Sequence, residues 1–402
     1  MLRDRNILLG VTGSIAAYKS VDIARRLIEN GARVKVVMTE ASCRFITPYI
    51  FETVTGNHVY SDLFKDPFSH INLSKEAHLF IIAPATANTI NKLSCGIADN
   101  LLSNLWLTYE GPVLIAPAMN FRMYRNPIVK KHIRDMKQSG VQFVGPVSGS
   151  LACGEEGEGR MVEVAEIIEA AAAAFANKDL TGQNILVTAG PTVEPIDPVR
   201  FISNRSSGKM GYAIARAALR RGADVTLISG PSSLEPPLGV SFIPIEKTSE
   251  MEAEVFKHLK KATSVIMAAA VSDYSPAETA KVKLRKKDSM PLILNKNTDI
   301  LRELGRKKGE RILVGFAAES GKDIKSASTK LKEKNLDLIV LNDISRKDAG
   351  FDVDTNVVTL INRKGQITDY PMMKKIEIAD IILDRMIELT KRDKDTKEGG
   401  RI

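Results

Sequence analysis

The chain has 402 residues, which is long for one α/β domain and enough for two. Hydrophobic residues make up 44% of the sequence, so each half can bury a core, and no apolar run reaches the length of a membrane span. The start of the chain shows no signal-peptide pattern. Three cysteines are too few for a disulfide framework, which indicates a reducing compartment, and we expect a cytoplasmic protein.

The formal net charge of +9 is explained either by general solubility or by anionic ligands, nucleic acid or small phosphates. Aromatic residues make up only 5% of the chain and do not alternate with basic ones, as they do where bases stack on a protein. We therefore expect phosphorylated small molecules as ligands, and neither nucleic acid nor a membrane as a partner.

Both halves open with the same pattern of elements. An apolar run ending in glycine (6–13) precedes a helical pattern that ends at Gly31, and a second apolar run follows at 34–38. The second half repeats this with a run at 184–190, a helix at about 209–221 and a run at 225–228. A strand, a glycine loop, a helix and a strand begin a doubly wound parallel sheet.

We therefore predict an α/β protein of two doubly wound, Rossmann-like parallel-sheet domains, residues 1–178 and 179–402. Further strands are predicted at 79–83, 113–116, 141–144, 264–268, 312–316 and 336–341, with helices at 86–94, 127–139 and 322–334. The runs 357–362 and 366–370 are typical of a hairpin. The basic tail from about 391 is predicted to be disordered.

Ligands of such sheets bind beyond the carboxyl ends of the strands. The turn Val11–Ala16 lies at such an end and offers backbone N–H groups and the Ser14 hydroxyl to a phosphate. It is neither a dinucleotide fingerprint nor a Walker loop, and an ordinary helix cap explains it equally well.

Three further segments, 69–73, 83–90 and 116–124, complete a pattern that resembles the flavin-dependent cysteine decarboxylase family over the whole first half. Tyr124 stands where that family usually has Trp. The resemblance implies FMN as cofactor and His70 as catalytic base, and it implies that Asn120 grips the substrate carboxylate. The implied FMN-binding residues are Gly13, Ser14, Ile15, Thr39, Thr86, Asn88, Thr89 and Met119.

Segment 149–160 resembles the mobile clamp of the same family, with Cys153 as its acid. A cysteine-derived carboxylate lacks an electron sink for decarboxylation, and flavin oxidation of the thiol provides one. Family members without a clamp cysteine stop at the ene-thiol, so Cys153 indicates the complete cycle. Cys43 and Cys95 lie among apolar helical positions and are expected to be core residues.

The second half contains a proline-rich connection (188–200) followed by a largely polar stretch (202–211) that could cap a helix or bind an anion. Together with segments 268–274, 281–284, 297–300 and 315–319, it resembles phosphopantothenate–cysteine ligase from about Leu180 to Asp384. A decarboxylase followed by a ligase is the order found in the bifunctional enzymes of coenzyme A biosynthesis.

The second resemblance implies CTP as co-substrate and an acyl-cytidylate intermediate. Lys283, together with Mg²⁺, would stabilise the phosphate charge, and Asn204 the oxyanion that forms when cysteine displaces CMP. No Mg²⁺ ligands are predicted. The implied CTP-binding residues are Met267, Ala268, Ala269, Asp273, Lys283, Asn297, Thr298, Asp299, Ile300, Phe316, Lys330 and Lys334. Lys330 and Lys334 share a helical face, which a solvated surface also explains.

The expected substrates are 4′-phosphopantothenate, cysteine and CTP. The family implies a homo-oligomer with decarboxylase trimers and ligase dimers, together a dodecamer. Two alternatives concern the first half: a flavin prenyltransferase, or a flavin-binding regulatory protein. His70 and the clamp cysteine argue against the first, and the fused ligase half argues against the second. A reductase in the second half would need the glycine fingerprint that it lacks.

Overall fold

The computed structural model describes residues 2–150, 154–285, 290–319, 321–343 and 353–398, and it divides into two units, Met1–Ala176 and Asn177–Ile402. In the described residues no helix is long and apolar enough to cross a membrane.

The first unit alternates strands and helices. Its strands are β1 (Asn6–Val11), β2 (Arg33–Met38), β3 (Val59–Tyr60), β4 (Leu79–Ala85), β5 (Val113–Pro117), β6 (Gln142–Phe143), β7 (Val147–Ser150) and β8 (Glu156–Arg160). Its helices are α1 (Tyr18–Glu29), α2 (Glu40–Cys43), α3 (Pro48–Thr55), α4 (Ser69–Glu76), α5 (Ala87–Ser94), α6 (Leu101–Thr108), α7 (Phe121–Arg125), α8 (Pro127–Gln138) and α9 (Val164–Ala174).

The main sheet of this unit is parallel, with the strand order β3-β2-β1-β4-β5-β6. Alternate residues of β1 enter two different cores, Ile7 and Leu9 on one face and Leu8 on the other. Both faces are therefore covered by helices, as the continuous apolar runs of the strands require. Strands β7 and β8 form a separate antiparallel hairpin.

The second unit contains the strands β9 (Asn184–Ala189), β10 (Val193–Pro195), β11 (Phe201–Ser203), β12 (Asp224–Ser229), β13 (Ser241–Pro244), β14 (Ser264–Met267), β15 (Tyr274–Pro276), β16 (Leu294–Lys296), β17 (Ile312–Glu319), β18 (Leu338–Asp343), β19 (Thr355–Asn362) and β20 (Ile367–Lys374). Its helices are α10 (Lys209–Arg220), α11 (Thr248–Leu259), α12 (Ile300–Arg306), α13 (Ile324–Glu333) and α14 (Lys375–Glu398).

Its main sheet has the order β13-β12-β9-β14-β17-β18-β19-β20, in which β19 and β20 run antiparallel and form the hairpin predicted near the end of the chain. Leu186 enters one core, whereas Ile185 and Val187 enter the other. The predicted class, α/β with two doubly wound sheets, is confirmed. Two short ribbons, β10–β11 and β15–β16, lie outside the main sheet.

Three expectations differ from the structure. Helix α14 extends to Glu398, into the tail predicted to be disordered from about 391; the segment has neither proline nor glycine before Gly399 to end a helix. Residues 399–402 lie outside the described residues. Strand β6 covers only Gln142–Phe143, because Gly145 and Pro146 follow. Cys95 is exposed at the end of α5 rather than buried in the core.

Candidate active sites

A cleft at the carboxyl edge of the first sheet contains all the residues implied for FMN. It has a volume of about 710 Å³, within the range of small-molecule sites. The implied FMN residues that line it are Gly13, Ser14, Ile15, Thr39, Thr86, Asn88, Thr89 and Met119. They come from the loops that follow β1, β2, β4 and β5. The structure therefore brings this whole predicted set together.

Two helix starts line this cleft: that of a short 3-10 helix (Ile15–Ala17), which leads into α1, and that of α5. The Ser14 hydroxyl accepts the N–H of Ala16, and the Thr86 hydroxyl accepts the N–H of Thr89, both at 3.3 Å. Such ends favour an anion, because their N–H groups and dipoles carry positive partial charge. A Cβ at Gly13 would lie 2.7 Å from the Cβ of Ala41, so only glycine allows this close approach of the loop to α2. The cleft fits a phosphorylated flavin.

Sequence reasoning missed several residues that line the flavin cleft: Phe45, Lys92, Asp99 and Asn100. The hydrogen bond from Lys92 lowers the pKa of Asp99 and outweighs the burial that opposes ionisation. Lys92 follows Asn88 by four residues on α5, so the helical period could have found it.

A second cavity of about 450 Å³ adjoins the flavin cleft. It shares Ser14, Ile15, Ala118 and Met119 with the cleft and adds Asn120 together with Lys19 and Arg160, two cations that sequence reasoning also missed. The Asn120 side chain caps α7 by accepting the N–H of Arg122 at 2.8 Å. Lys19 is only 8% exposed, and its ammonium lies 2.9 Å from Glu163, whose pKa it lowers. An anionic substrate would thus meet an amide and buried positive charge here.

The hairpin β7–β8 lies against this second cavity. The N–H of Met119 donates to the carbonyl of Gly159 at 3.0 Å, and a Cβ at Gly159 would lie 2.2 Å from the Met119 carbonyl oxygen. Glycine at this position therefore lets the base of the predicted clamp run alongside Asn120. Cys153, the predicted acid, lies outside the described residues.

His70 lies at the start of α4 and is not among the residues that line either cavity. Its carbonyl accepts the Thr108 hydroxyl at 3.2 Å, and its Nδ1 is buried with no hydrogen-bond partner among the described residues. Within one chain, the structure does not bring the predicted base to the flavin cleft.

In the second unit, the loop after β14 collects several predicted residues. Asn204 donates to the carbonyl of Ala270 at 2.9 Å, and Asn297 donates to the carbonyl of Ser272 at 2.8 Å. The backbone N–H of Asn297 also donates to the Asp273 carbonyl at 2.8 Å. Segments that are distant in sequence therefore meet at the carboxyl end of β14, where Ala268 and Ala269 follow Met267.

The two predicted helix lysines each pair with a carboxylate. Lys330 lies 2.6 Å from Glu319, at the end of the strand that also contains Phe316, and Lys334 lies 2.9 Å from Asp299. Asp299 also caps α12; burial opposes its ionisation, but the hydrogen bond from Lys334 lowers its pKa.

The remaining predicted CTP residues flank Asp299. Thr298 precedes it, and the side chain of Ile300, 2% exposed, packs in the core, so only its backbone can face a ligand.

Lys283 lies on an exposed segment, and in the part of the chain that the structure describes its ammonium forms no ion pair. The next residue, Leu284, is held on both of its backbone polar groups by Asp197 and Arg200. In the described residues no group of three or more His, Cys, Asp or Glu is arranged to hold a metal ion.

Comparisons with known proteins cover nearly all of the chain. Residues 1–176 match the flavoprotein family, and residues 180–389 match the C-terminal domain family of DNA/pantothenate metabolism flavoproteins. The coenzyme A biosynthesis bifunctional protein CoaBC of Bacillus subtilis is 46% identical, covering 98% of this chain and 99% of its own. Its Escherichia coli counterpart is 43% identical, with coverages of 96% and 97%.

Among solved structures, a C-terminal domain of such a CoaBC protein is 40% identical over 54% of this chain and 100% of its own, with a TM-score of 0.47. The family expected from the sequence is confirmed by the full-length relatives. The chain belongs to the family of bifunctional coenzyme A biosynthesis proteins, with a flavoprotein unit followed by a ligase-type unit.

Proposed function

We propose that this chain ligates cysteine to 4′-phosphopantothenate with CTP, in residues 177–402, and decarboxylates the product to 4′-phosphopantetheine with FMN, in residues 1–176. The observation that carries the proposal is the meeting of the eight implied FMN residues in one cleft whose neighbouring cavity contains Asn120.

In the first unit, the helix starts at Ser14 and Thr86 would hold the FMN phosphate. When bound, the flavin would take two electrons from the substrate thiol, which makes loss of CO₂ feasible, and would return them after decarboxylation, so that the product is again a thiol and the cofactor is regenerated. The Asn120 amide donates to the Glu155 carboxylate at 3.5 Å in the structure; it would donate instead to the substrate carboxylate and orient it. Lys19 and Arg160 add positive charge beside that carboxylate. The clamp thiol, Cys153, would deliver a proton to the decarboxylated carbon.

We propose that a second copy of the chain completes the decarboxylase site with the base His70. Exposed aromatic side chains lie both in the cleft and next to His70: Phe45 is 54% exposed and Phe68 is 65% exposed. Apolar patches of this kind are typical of surfaces that another chain covers. A trimer would allow His70 of one subunit to face the cleft of the next.

In the second unit, the pantothenate carboxylate would attack the α-phosphorus of CTP and release pyrophosphate. Lys283 would stabilise the charge that develops on the phosphate oxygens. Mg²⁺ would enter with CTP, since in such sites it is held largely by substrate phosphates. Asn204 donates one amide N–H to the carbonyl of Ala270. Its second amide N–H would donate to the acyl oxyanion that forms when cysteine displaces CMP.

The second unit also exposes apolar side chains, on its ribbons and nearby loops. Phe201 is 59%, Val282 73% and Ile293 74% exposed. This supports a ligase dimer, and trimers joined through dimers form a dodecamer. Cys43 and Cys95 are free thiols, which supports a cytoplasmic location.

The proposal is tested by mass spectrometry of products from FMN-loaded protein given 4′-phosphopantothenate, cysteine, Mg²⁺ and CTP. We expect 4′-phosphopantetheine, CMP, pyrophosphate and CO₂. Accumulation of phosphopantothenoylcysteine would leave the ligase intact and contradict the roles given to His70, Asn120 and Cys153. No product with either CTP or ATP would contradict the ligase and favour a flavin-binding regulatory protein.

A further inference from the structure

The proline-rich connection between β9 and α10 contains a carboxylate that no step of the proposed reaction uses. Asp197 is 3% exposed, although Val199, two residues later, is 58% exposed. Burying a carboxylate is costly unless both of its oxygens are satisfied by donors. The contacts of Asp197 therefore show which parts of the molecule it holds.

The two oxygens of Asp197 have different partners. Oδ1 accepts the backbone N–H groups of Val199 at 2.8 Å and Arg200 at 2.9 Å, which closes a tight turn. Oδ2 accepts Nε and Nη2 of Arg200 at 2.9 and 2.6 Å, and also the backbone N–H of Leu284 at 3.2 Å. One oxygen thus serves the local turn, and the other ties down a segment 87 residues away.

Arg200 completes the attachment of that segment. Its Nη2 also donates to the carbonyl of Leu284 at 2.9 Å, so both backbone polar groups of Leu284 are held. At the other end, the N–H of Ala280 donates to the carbonyl of Ile196 at 3.0 Å. Residues 281–283 therefore lie between two attachments to the same connection, and Lys283 comes directly before the second.

We propose that Asp197 is a positioning residue for Lys283: by fixing Leu284 directly and through Arg200, it holds the segment that presents the Lys283 ammonium to the phosphates of CTP. This inference rests on the proposed ligase activity. Ordering an exposed lysine on a mobile backbone costs conformational entropy in each turnover. A backbone that is already fixed by hydrogen bonds removes part of this entropy cost.

The charge of Asp197 supports this role. Burial favours its neutral form, but the bonds from the Arg200 side chain and from three backbone N–H groups hold the pKa of Asp197 well below its usual range. The carboxylate is therefore ionised at neutral pH and keeps Arg200 in place.

Asp197→Asn tests the attachment without removing the turn. Its remaining oxygen can still accept the N–H groups of Val199 and Arg200. Its NH₂ group would face the Arg200 guanidinium and the Leu284 N–H, which are themselves donors, so the bond to Leu284 is lost.

Asp337→Asn is the matched control. The Asp337 side chain is also fully buried; it accepts the N–H of Leu313 at 2.7 Å and lies 2.6 Å from Lys308 and 3.1 Å from Arg363. It directly precedes β18, at the amino edge of the sheet, opposite the edge where the site residues meet. Loss of the Asp337 charge should therefore destabilise the second unit without disturbing Lys283.

The experiment measures CTP-dependent pyrophosphate release and amide formation by the full-length chain, with thermal melting of each variant. We expect Asp197→Asn to lower kcat by about 10- to 100-fold with little change in the KM for cysteine, whereas Asp337→Asn stays within about twofold of wild type. In the Lys283→Gln background, Asp197→Asn should cause no further loss, since it acts only through Lys283.

Equal kcat values for the two aspartate variants, or a full multiplicative loss in the double variant, would overturn the inference. Amide hydrogen exchange gives a readout that does not require activity. Asp197→Asn should speed exchange at Leu284, and unchanged exchange there would also overturn the inference. Absence of CTP-dependent product from the wild-type chain, in contrast, would count against the proposed function.

Discussion

The two units share one sheet topology and build their candidate sites in different ways. The first six strands of each main sheet, taken in chain order, have equivalent positions: β3-β2-β1-β4-β5-β6 and β13-β12-β9-β14-β17-β18. In the first unit, the site residues lie on loops that directly follow strands and start helices. In the second, they lie on long connections held by side-chain bonds to distant backbone groups, such as Asn204 to Ala270 and Asp197 to Leu284. The shared sheet topology determines the edge at which a ligand binds, and the loops at that edge determine which groups contact it.

The largest expected effect separates the two units by their chemistry. Lys283→Gln should lower CTP-dependent ligation by about 10²- to 10³-fold, because it removes a cation aimed at developing phosphate charge. Decarboxylation of supplied phosphopantothenoylcysteine should not change. Pyrophosphate release and CO₂ release measure the two reactions separately. Lys281→Gln is the matched control, since Lys281 is exposed on the same segment, and an equal loss in both variants would remove the special role of Lys283.

The next effect concerns the first unit. Asn120→Ala should lower decarboxylation by about 10²-fold, because the substrate carboxylate loses its orienting amide. Ligation should be unaffected, and phosphopantothenoylcysteine should accumulate.

Asn126→Ala is the control for Asn120, because Asn126 caps α8 by accepting the N–H of Ile128 at 2.9 Å, as Asn120 caps α7. It should cost about 1 kcal/mol of stability and leave CO₂ release unchanged. Similar rates of CO₂ release for the two variants would show that Asn120 acts only as a helix cap.

A smaller effect tests whether flavin binding depends on close backbone approach. Gly13→Ala should reduce bound flavin by about tenfold, since the new Cβ would push the phosphate-facing loop away from Ala41. The ratio of flavin to protein absorbance measures this. Gly56→Ala is the control, because Gly56 has φ +67° and open space around it. The variant should lose stability, since alanine disfavours a positive φ, but it should retain its flavin. If the Gly13→Ala protein retained its full flavin content, the flavin phosphate would not bind at the Gly13 loop.

The smallest effect is a pH dependence in the second unit. The pKa of Asp299 lies below its ordinary value of 3.8, so its pair with Lys334 stabilises the fold above that value, and this contribution is lost as the pH falls through the folded pKa. Because the pair is partly exposed and therefore screened by solvent, Asp299→Asn should cost about 0.5 kcal/mol at neutral pH and progressively less in acid.

Melting temperatures across pH measure this difference. Asn caps a helix as well as Asp does, so the substitution tests the charge alone. Asp323→Asn is the control: Asp323 caps α13 at 2.9 Å and, over the described residues, forms no ion pair. If the difference in melting temperature between wild type and Asp299→Asn did not change with pH, the stabilising role of the ionised Asp299 would be contradicted.

The sequence predicted the fold class and the loops after the strands, because continuous apolar runs and glycine turns are local signals. Thr86 illustrates this, since it follows β4 and caps α5 in the cleft where it was expected. The position of His70 outside both cavities could not be predicted, because it depends on how α4 packs against α6.

Other features depend on contacts that no local pattern encodes. The three-residue strands β10 and β15 are too short for any periodicity, and they form only because β11 and β16 pair with them. The bond between Asp197 and Leu284 spans 87 residues, so nothing near Lys283 in the sequence indicates what holds it.

Complementation between two variants tests whether each unit catalyses one of the two reactions. Lys283→Gln protein alone should form 4′-phosphopantetheine from 4′-phosphopantothenate, cysteine and CTP about 10²- to 10³-fold more slowly than wild type. Asn120→Ala protein alone should accumulate phosphopantothenoylcysteine. A mixture should form 4′-phosphopantetheine, because each protein supplies the unit that the other lacks. Failure of the mixture, with both variants folded and flavin-loaded, would contradict the assignment of one reaction to each unit.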